Sequence, residues 1–148
     1  MKKSNIITVA WTGIINSNPA KVYISVRPER YSYNIIKQNK EFVINLTTKD
    51  LAFATDWCGV RSGEKFDKFK EMKLTKQKAK FVKCPLIKES PVSIECKVTD
   101  IKELGSHTMF IADVLSMKLY LAHQFHNPLI YSVSASSGNM LRLRLSIP

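Results

Sequence analysis

The chain has 148 residues, of which 45% are hydrophobic, and its 23 basic and 12 acidic residues give a net charge of +11. This length fits one domain, and the hydrophobic content excludes wholesale disorder. No apolar run reaches the roughly 20 residues that a membrane-spanning helix needs, and three widely spaced cysteines argue against a disulfide framework or a structural zinc site. We therefore expect one cytoplasmic domain over residues 1–148, without a signal peptide.

The first third of the chain alternates strand patterns with short helix patterns. Apolar and polar residues alternate with a period of two over residues 21–27, which indicates a strand with one buried face. The predicted elements are strands over residues 5–15, 21–27 and 41–46 and helices over residues 31–38 and 48–57. Ser32 is placed to cap the first of these helices.

The remaining chain predicts more strands and an irregular crossing segment. A loop over residues 58–63 precedes a helical turn over residues 67–71, and residues 73–88 form the crossing segment. Strands over residues 92–99 and 108–117 form a hairpin that turns at Gly105. The Leu-Arg alternation in the tail, residues 132–148, indicates a last strand, a poorly packing sequence or a disturbed reading frame. The predominance of predicted strands over short helices favours a small β-barrel over a layered α/β sheet.

Most of the net charge comes from one segment. Residues 61–88 contain ten basic and three acidic residues, which is +7 of the total of +11. Two interpretations remain open: a solvated face, or a surface for an anionic ligand or polymer such as a nucleic acid.

Familiar catalytic and phosphate-binding motifs are absent from the sequence. It contains neither a GxGxxG dinucleotide motif nor a P-loop. His123 and His126 have helical spacing, which suits a surface pair or a metal pair. Cys58 beside Gly59 reads as a half-buried loop cysteine or as a reactive thiol, although no histidine lies near it in the sequence.

A more promising group of residues surrounds the first predicted helix. A helix N-terminus that carries the Ser32 hydroxyl and the nearby Arg30 guanidinium is suited to a phosphate monoester. Ser62 and Lys68 are candidates to extend this anion site. The structural alternative assigns Trp11 to the core, Arg30 to the surface and Ser32 to a helix cap.

Several runs of the sequence resemble the flavin reductase-like, FMN-binding split-barrel family, especially its flavoredoxin and ferric-reductase branch. These runs are residues 5–13 (NIITVAWTG), 22–27 (VYISVR), 30–33 (RYSY), 41–46 (EFVINL) and 56–63 (DWCGVRSG), followed by residues 67–69 (DKF). Residues 85–87 and the predicted hairpin over residues 91–114 also fit. The resemblance spans roughly residues 5–116, whereas residues 115–148 depart from the family's pattern.

The resemblance implies a mainly β split barrel with short inserted helices, which forms a homodimer and binds FMN near the subunit interface. The implied flavin-ring contacts are Thr8, Val9, Ala10, Trp11 and Thr12, and the implied ribityl-phosphate contacts are Ser25, Arg27, Arg30 and Ser32. Asn45, Cys58, Gly59, Ser62 and Lys68 would complete the pocket.

The chemistry implied by the resemblance is located on the flavin and not on a protein acid or base. NAD(P)H would deliver hydride to flavin N5, and electrons would leave to a second flavin, a ferric complex or an acceptor protein. The alternatives are a non-catalytic FMN-binding module and a basic nucleic-acid-binding domain.

Overall fold

A five-stranded antiparallel sheet forms the centre of the protein in a computed structural model, which describes residues 4–120 fully and residues 131–136 and 140–145 by backbone. Its strands are β1 (Thr12–Ser17), β2 (Ala20–Val26), β3 (Glu41–Asn45), β6 (Val92–Glu103) and β7 (Thr108–Leu119). They are arranged in the order β1-β2-β7-β6-β3. The mainly β architecture confirms the fold class that the sequence predicts.

The period-two pattern of β2 explains which face of the sheet is buried. Val22, Ile24 and Val26 are each no more than 3% exposed and belong to the main core. They pack with Phe42 of β3 and the fully buried Phe110 of β7. The central strand β7 pairs with both β2 and β6. The long β6–β7 hairpin therefore connects the two halves of the sheet.

Three helices and two short strand pairs complete the described structure. The helices are α1 (Tyr31–Asn39), α2 (Ala52–Val60) and α3 (Lys68–Glu71), and the short strands are β4 (Lys76–Gln77), β5 (Leu86–Ile87), β8 (Tyr131–Ser136) and β9 (Met140–Leu145). Asp67 caps α3, because its carboxylate accepts the N–H groups of Phe69 and Lys70. The Leu-Arg alternation of the tail forms β9, which pairs with β8. No helix in the described ranges is long and apolar enough to cross a membrane.

The structure corrects several sequence-based boundaries. The first strand begins at Thr12 and not at Asn5, because residues 4–9 run without regular strand pairing. The second helix extends through Cys58 to Val60, so these residues are its last turn and not a loop. Ser32 does not cap α1: the N-cap is Arg30, no side chain caps this end, and Ser32 is buried within the first turn. The expected His123–His126 pair lies outside the described residues.

Candidate functional site

The N-terminal segment and the start of α1 meet through the side chain of Asn5. Its amide Nδ2 donates a hydrogen bond of 2.8 Å to Ser32 Oγ. On its other side, the amide packs against Gly63, where an added Cβ would lie 2.1 Å from Asn5 Oδ1. A side chain at position 63 would therefore clash with the Asn5 amide. Through its contacts with Gly63 and Ser32, this amide joins the loop after α2 to the start of α1.

Lys68 joins the same corner from α3. The residue is 4% exposed, and its ammonium group donates to two backbone carbonyls, at 2.8 Å to Ile6 and at 2.6 Å to Cys58. Within residues 4–120, no carboxylate lies within ion-pair distance of this ammonium. Burial lowers the pKa of Lys68, and the neighbouring charge of Arg30 lowers this pKa further.

This corner, which we call the α1 corner and define as Asn5, Arg30, Ser32, Gly63 and Lys68, is electropositive. The N-terminus of α1 has no side-chain cap and no acidic residue in its first turn. A helix N-terminus carries partial positive charge and attracts anions. Because the two carbonyls leave the charge of Lys68 uncancelled, the α1 corner can hold an anion such as a phosphate group.

The segment leading into β1 offers polar main-chain groups beside this corner. Thr8 is fixed by a 2.6 Å hydrogen bond from its hydroxyl to the Thr55 carbonyl, and Gly59 of α2 approaches its side chain closely. Within residues 4–120, the main-chain groups of Val9 and Ala10 make no hydrogen bond. They can therefore pair with the polar edge of a ligand.

Trp11 lies at the open side of this segment. It is 64% exposed, so the structural alternative that assigned it to the core is wrong. Its ring packs on the His107 imidazole with ring centroids 5.0 Å apart. His107 comes from the β6–β7 turn, where Gly105 adopts a positive φ of 97° that favours glycine.

An apolar cavity of about 370 Å³ adjoins the corner. The sequence-predicted residues that line it are Thr8, Val9, Thr12, Ser32, Asn45 and Cys58. The structure therefore gathers these six residues around one hollow, and Asn5 lines it as well.

The other predicted residues lie around or away from the cavity. Arg27 is exposed and paired with Glu29 at 3.1 Å, and Ser62 accepts the Glu64 N–H in the loop after α2. Ser25 is buried in β2, where its N–H donates to the Trp11 carbonyl at 2.8 Å. Asn45 lines the cavity, but its Oδ1 is already engaged by the Ile87 N–H and the Ser93 hydroxyl.

The thiol of Cys58 is buried at the end of α2. Burial raises the pKa of Cys58, and the charge of Lys68 opposes this shift in part. A raised pKa keeps the thiol protonated, so the environment does not support the reactive-thiol interpretation.

Two residues of the site were missed by sequence reasoning, Asn5 and His107. Asn5 is the lone amide at the start of an apolar run, which is a signal that a polar contact is required there. No residue near His107 in the sequence indicates that it belongs to the site, because only the β6–β7 hairpin brings it next to Trp11. The described residues contain no cluster of side chains suited to a metal ion.

A family model described as "Flavin reductase like domain" matches residues 2–137. The chain belongs to the flavin reductase-like family. A solved structure of flavoredoxin from Desulfovibrio vulgaris shares 32% sequence identity with this chain, with a TM-score of 0.74. Flavoredoxin from Methanosarcina acetivorans shares 25% identity, with a TM-score of 0.75. These matches identify the mainly β fold as the split barrel of flavin reductase-like proteins.

This flavin reductase-like chain spans a little under two thirds of the length of the relatives it matches. It covers 62% of the Desulfovibrio flavoredoxin chain with 79% of its own residues, and 64% of the Methanosarcina chain with 82%. An uncharacterized protein of Archaeoglobus fulgidus is 32% identical over 115 residues, which are 78% of this chain and 65% of that protein. The matched part includes the α1 corner and the residues that surround the cavity.

Proposed function

We propose that this chain binds FMN and passes electrons through it, as an NAD(P)H-dependent flavin reductase or as a flavoredoxin-like carrier. The observation that carries the proposal is the α1 corner, where the buried charge of Lys68 lies beside an uncapped helix N-terminus. FMN ends in a phosphate, and this combination favours a doubly charged anion. Family membership and the names of the flavoredoxin relatives support the flavin assignment.

The residues present fit such a ligand at both ends. Arg30 and Ser32 would hold the phosphate, and the positive charge of the buried Lys68 would add to the attraction. The main-chain groups of Val9 and Ala10 would meet the polar edge of the flavin ring, next to the exposed Trp11. The mixture of polar groups at the rim and apolar groups in the cavity is typical of cofactor sites.

Bound FMN would supply hydride uptake from a reduced nicotinamide and electron release to a second flavin, a ferric complex or a protein. The protein's own task is to bind and orient. The thiol of Cys58 stays protonated and buried, and His107 with Trp11 shapes the open side on which a donor would approach.

The α1 corner is tested by comparing FMN with riboflavin, which lacks the phosphate. In a fluorescence titration we expect Arg30→Ala combined with Ser32→Ala to weaken FMN binding by about tenfold or more, because charge-assisted hydrogen bonds contribute about 1.5–3 kcal/mol each. Riboflavin binding should change little. Lys37→Ala, at the other end of α1, is the matched control and should leave both affinities unchanged. Equal losses for the two flavins in the double variant would remove the phosphate assignment.

NAD(P)H oxidation separates the reductase from a non-catalytic FMN-binding module. A reductase oxidises NADH or NADPH when free flavin is added. A yellow protein that is slow with both nicotinamides would support the binding module instead.

A homodimer in the cytoplasm completes the proposal. Large apolar side chains on the sheet are left exposed, among them Ile15 of β1 and Leu115 and Leu119 of β7, at 45%, 41% and 48%. Exposed large apolar side chains of this kind can be covered by a second subunit. The three unpaired cysteines agree with a reducing compartment. Sedimentation velocity tests the dimer, and a monomer at high concentration would contradict it.

A further inference from the structure

The crossing segment presents a row of lysines, which we call the lysine strap and define as residues 76–83. Its exposed lysines are Lys76, Lys78, Lys80 and Lys83. Its inward side chains, Ala79 and Val82, are each 8% exposed and pack in a second small core with Leu86. The alternation therefore directs every lysine of the strap toward solvent.

The carboxylates nearest to the strap bind its backbone and not its lysines. Glu95, which is 3% exposed, accepts the N–H groups of Lys80 and Phe81 at 3.0 and 2.6 Å and that of Val82 at 3.3 Å. Glu41 accepts the N–H of Lys83 at 2.8 Å. Both acids therefore hold the backbone of the strap in place, Glu95 from a buried position and Glu41 from a half-buried one.

The outer face of the strap is left uniformly positive. In the part of the chain with described side chains, no ion pair joins a strap lysine to an acid. The ammonium of Lys80 lies 5.0 Å from the ring centroid of Phe81, and Phe81 is itself 53% exposed. An ordered, unneutralised row of lysines around an exposed aromatic ring is a surface suited to an acidic partner.

The strap also forms part of the wall of the cavity. Lys83 and the residues just after it, Cys84, Pro85 and Ile87, line the same hollow as Ser32 and Thr8. The strap therefore reaches the cavity only at its last residue, Lys83, and a partner bound at that end would lie next to the rim of the proposed flavin site.

The composition of the strap favours a protein over a nucleic acid. Four of its eight residues are lysine and none is arginine, although arginine is the side chain that recognises phosphates and bases in a bidentate manner. Single-stranded nucleic acids also need several aromatic rings for base stacking, and the strap has one. An aromatic side chain surrounded by a polar rim is an arrangement that protein interfaces use.

We propose that the lysine strap docks the acidic face of a small electron-carrier protein, with Phe81 as its apolar anchor. The carrier would be reduced by one electron as the flavin is oxidised by one. Only this redox role rests on the proposed function, since the docking itself follows from the charge and geometry of the strap.

The test measures binding of an acidic plant-type ferredoxin to the full chain by isothermal titration calorimetry. We expect binding at low salt that weakens as ionic strength rises. The variant Lys78→Glu with Lys80→Glu should weaken it by about tenfold or more. The matched control, Lys37→Glu with Lys102→Glu, makes the same change in net charge on lysines outside the strap and should have less than about a twofold effect.

One further variant and two further ligands test what the surface recognises. Phe81→Ala should weaken ferredoxin binding without changing its salt dependence, because it removes an apolar contact. Equal losses in the strap and control variants, or no binding by the wild-type chain at low salt, would overturn the proposal. Tighter binding of single-stranded DNA than of ferredoxin, lost in the strap variant, would assign the surface to nucleic acid. Equal binding of a non-redox protein of matched charge would overturn the electron-carrier assignment.

Thermal unfolding of both double variants checks that they are folded. FMN uptake is measured in the same samples by fluorescence. A chain that binds FMN but not ferredoxin refutes the docking surface alone, whereas a chain that binds ferredoxin but not FMN refutes the proposed function alone.

Discussion

Replacing Gly63 by alanine should destabilise the protein through a single neighbour, the side chain of Asn5. The new Cβ would lie 2.1 Å from Asn5 Oδ1 and within 2.6 Å of Nδ2. Since this approach is far inside van der Waals contact, the amide must rotate away. The 2.8 Å hydrogen bond to the buried Ser32 hydroxyl is then lost.

The size of the effect follows from two opposing contributions. Leaving a buried polar group without its partner costs about 1–3 kcal/mol. A glycine-to-alanine change at an ordinary backbone conformation stabilises by about 0.4–1 kcal/mol, because it restricts the unfolded chain. Subtracting the gain from the cost gives a net loss of about 0–2.6 kcal/mol in the free energy of unfolding of Gly63→Ala, with a midpoint of about 1.3 kcal/mol.

A double-mutant cycle with Asn5→Ala isolates this mechanism. Once the amide is removed, the alanine Cβ at position 63 has no clash with it, so Gly63→Ala should become neutral or stabilising by up to about 1 kcal/mol. Urea unfolding of the four proteins measures the cycle. If Gly63→Ala costs the same free energy with and without Asn5, the clash with the amide is not its cause, and the proposed packing of the α1 corner is wrong.

Two further predictions concern the strap and the buried thiols. Glu95→Gln should lower the free energy of unfolding by about 1.5–3 kcal/mol, because the amide loses the charge that three backbone N–H groups share; an unchanged urea midpoint would contradict this. Burial raises the pKa of both Cys84 and Cys96 from 9.0 to about 12. Between these values the unfolded thiols lose their protons first, so the contribution of the two thiols to stability is fully present below pH 9.0 and is lost as the pH rises toward 12. Cys84→Ala should reduce that fall in urea unfolding at alkaline pH, and an identical pH dependence would refute the assignment.

The strands could be predicted because their signal is local. In β2 the alternation of Val22, Ile24 and Val26 with polar residues fixes the buried face before any partner strand is known. Asp67 was predicted to begin a helical turn, and it caps α3 by accepting N–H groups two and three residues ahead. In each case the deciding contact lies within a few residues, so the sequence pattern contains it.

The details of the site could not be predicted, because they depend on distant contacts. Ser32 looks like a helix cap in sequence, but Asn5, 27 residues earlier, determines its environment. The sequence names Lys68 as a candidate for the anion site, but its burial and its hydrogen bond to the carbonyl of Ile6, 62 residues away, have no local signal. Trp11 is a large aromatic residue that propensity assigns to a core, whereas the β6–β7 turn leaves it open beside His107.

The α1 corner and the lysine strap are both positive for the same reason, because hydrogen bonds there satisfy buried polar groups without neutralising a lysine. At the α1 corner, carbonyl oxygens satisfy the ammonium of Lys68; a carboxylate in their place would cancel its charge and with it the attraction for a phosphate. At the lysine strap, the carboxylates of Glu95 and Glu41 satisfy backbone N–H groups and so leave the lysines unneutralised. In both places a buried polar group is paired without an ion pair, so the positive charge of the lysines is not cancelled. Lys83 is the strap residue that lines the cavity, as Asn5 and Ser32 of the α1 corner do. Charge at this end of the strap is therefore located near the place where an anionic ligand would bind.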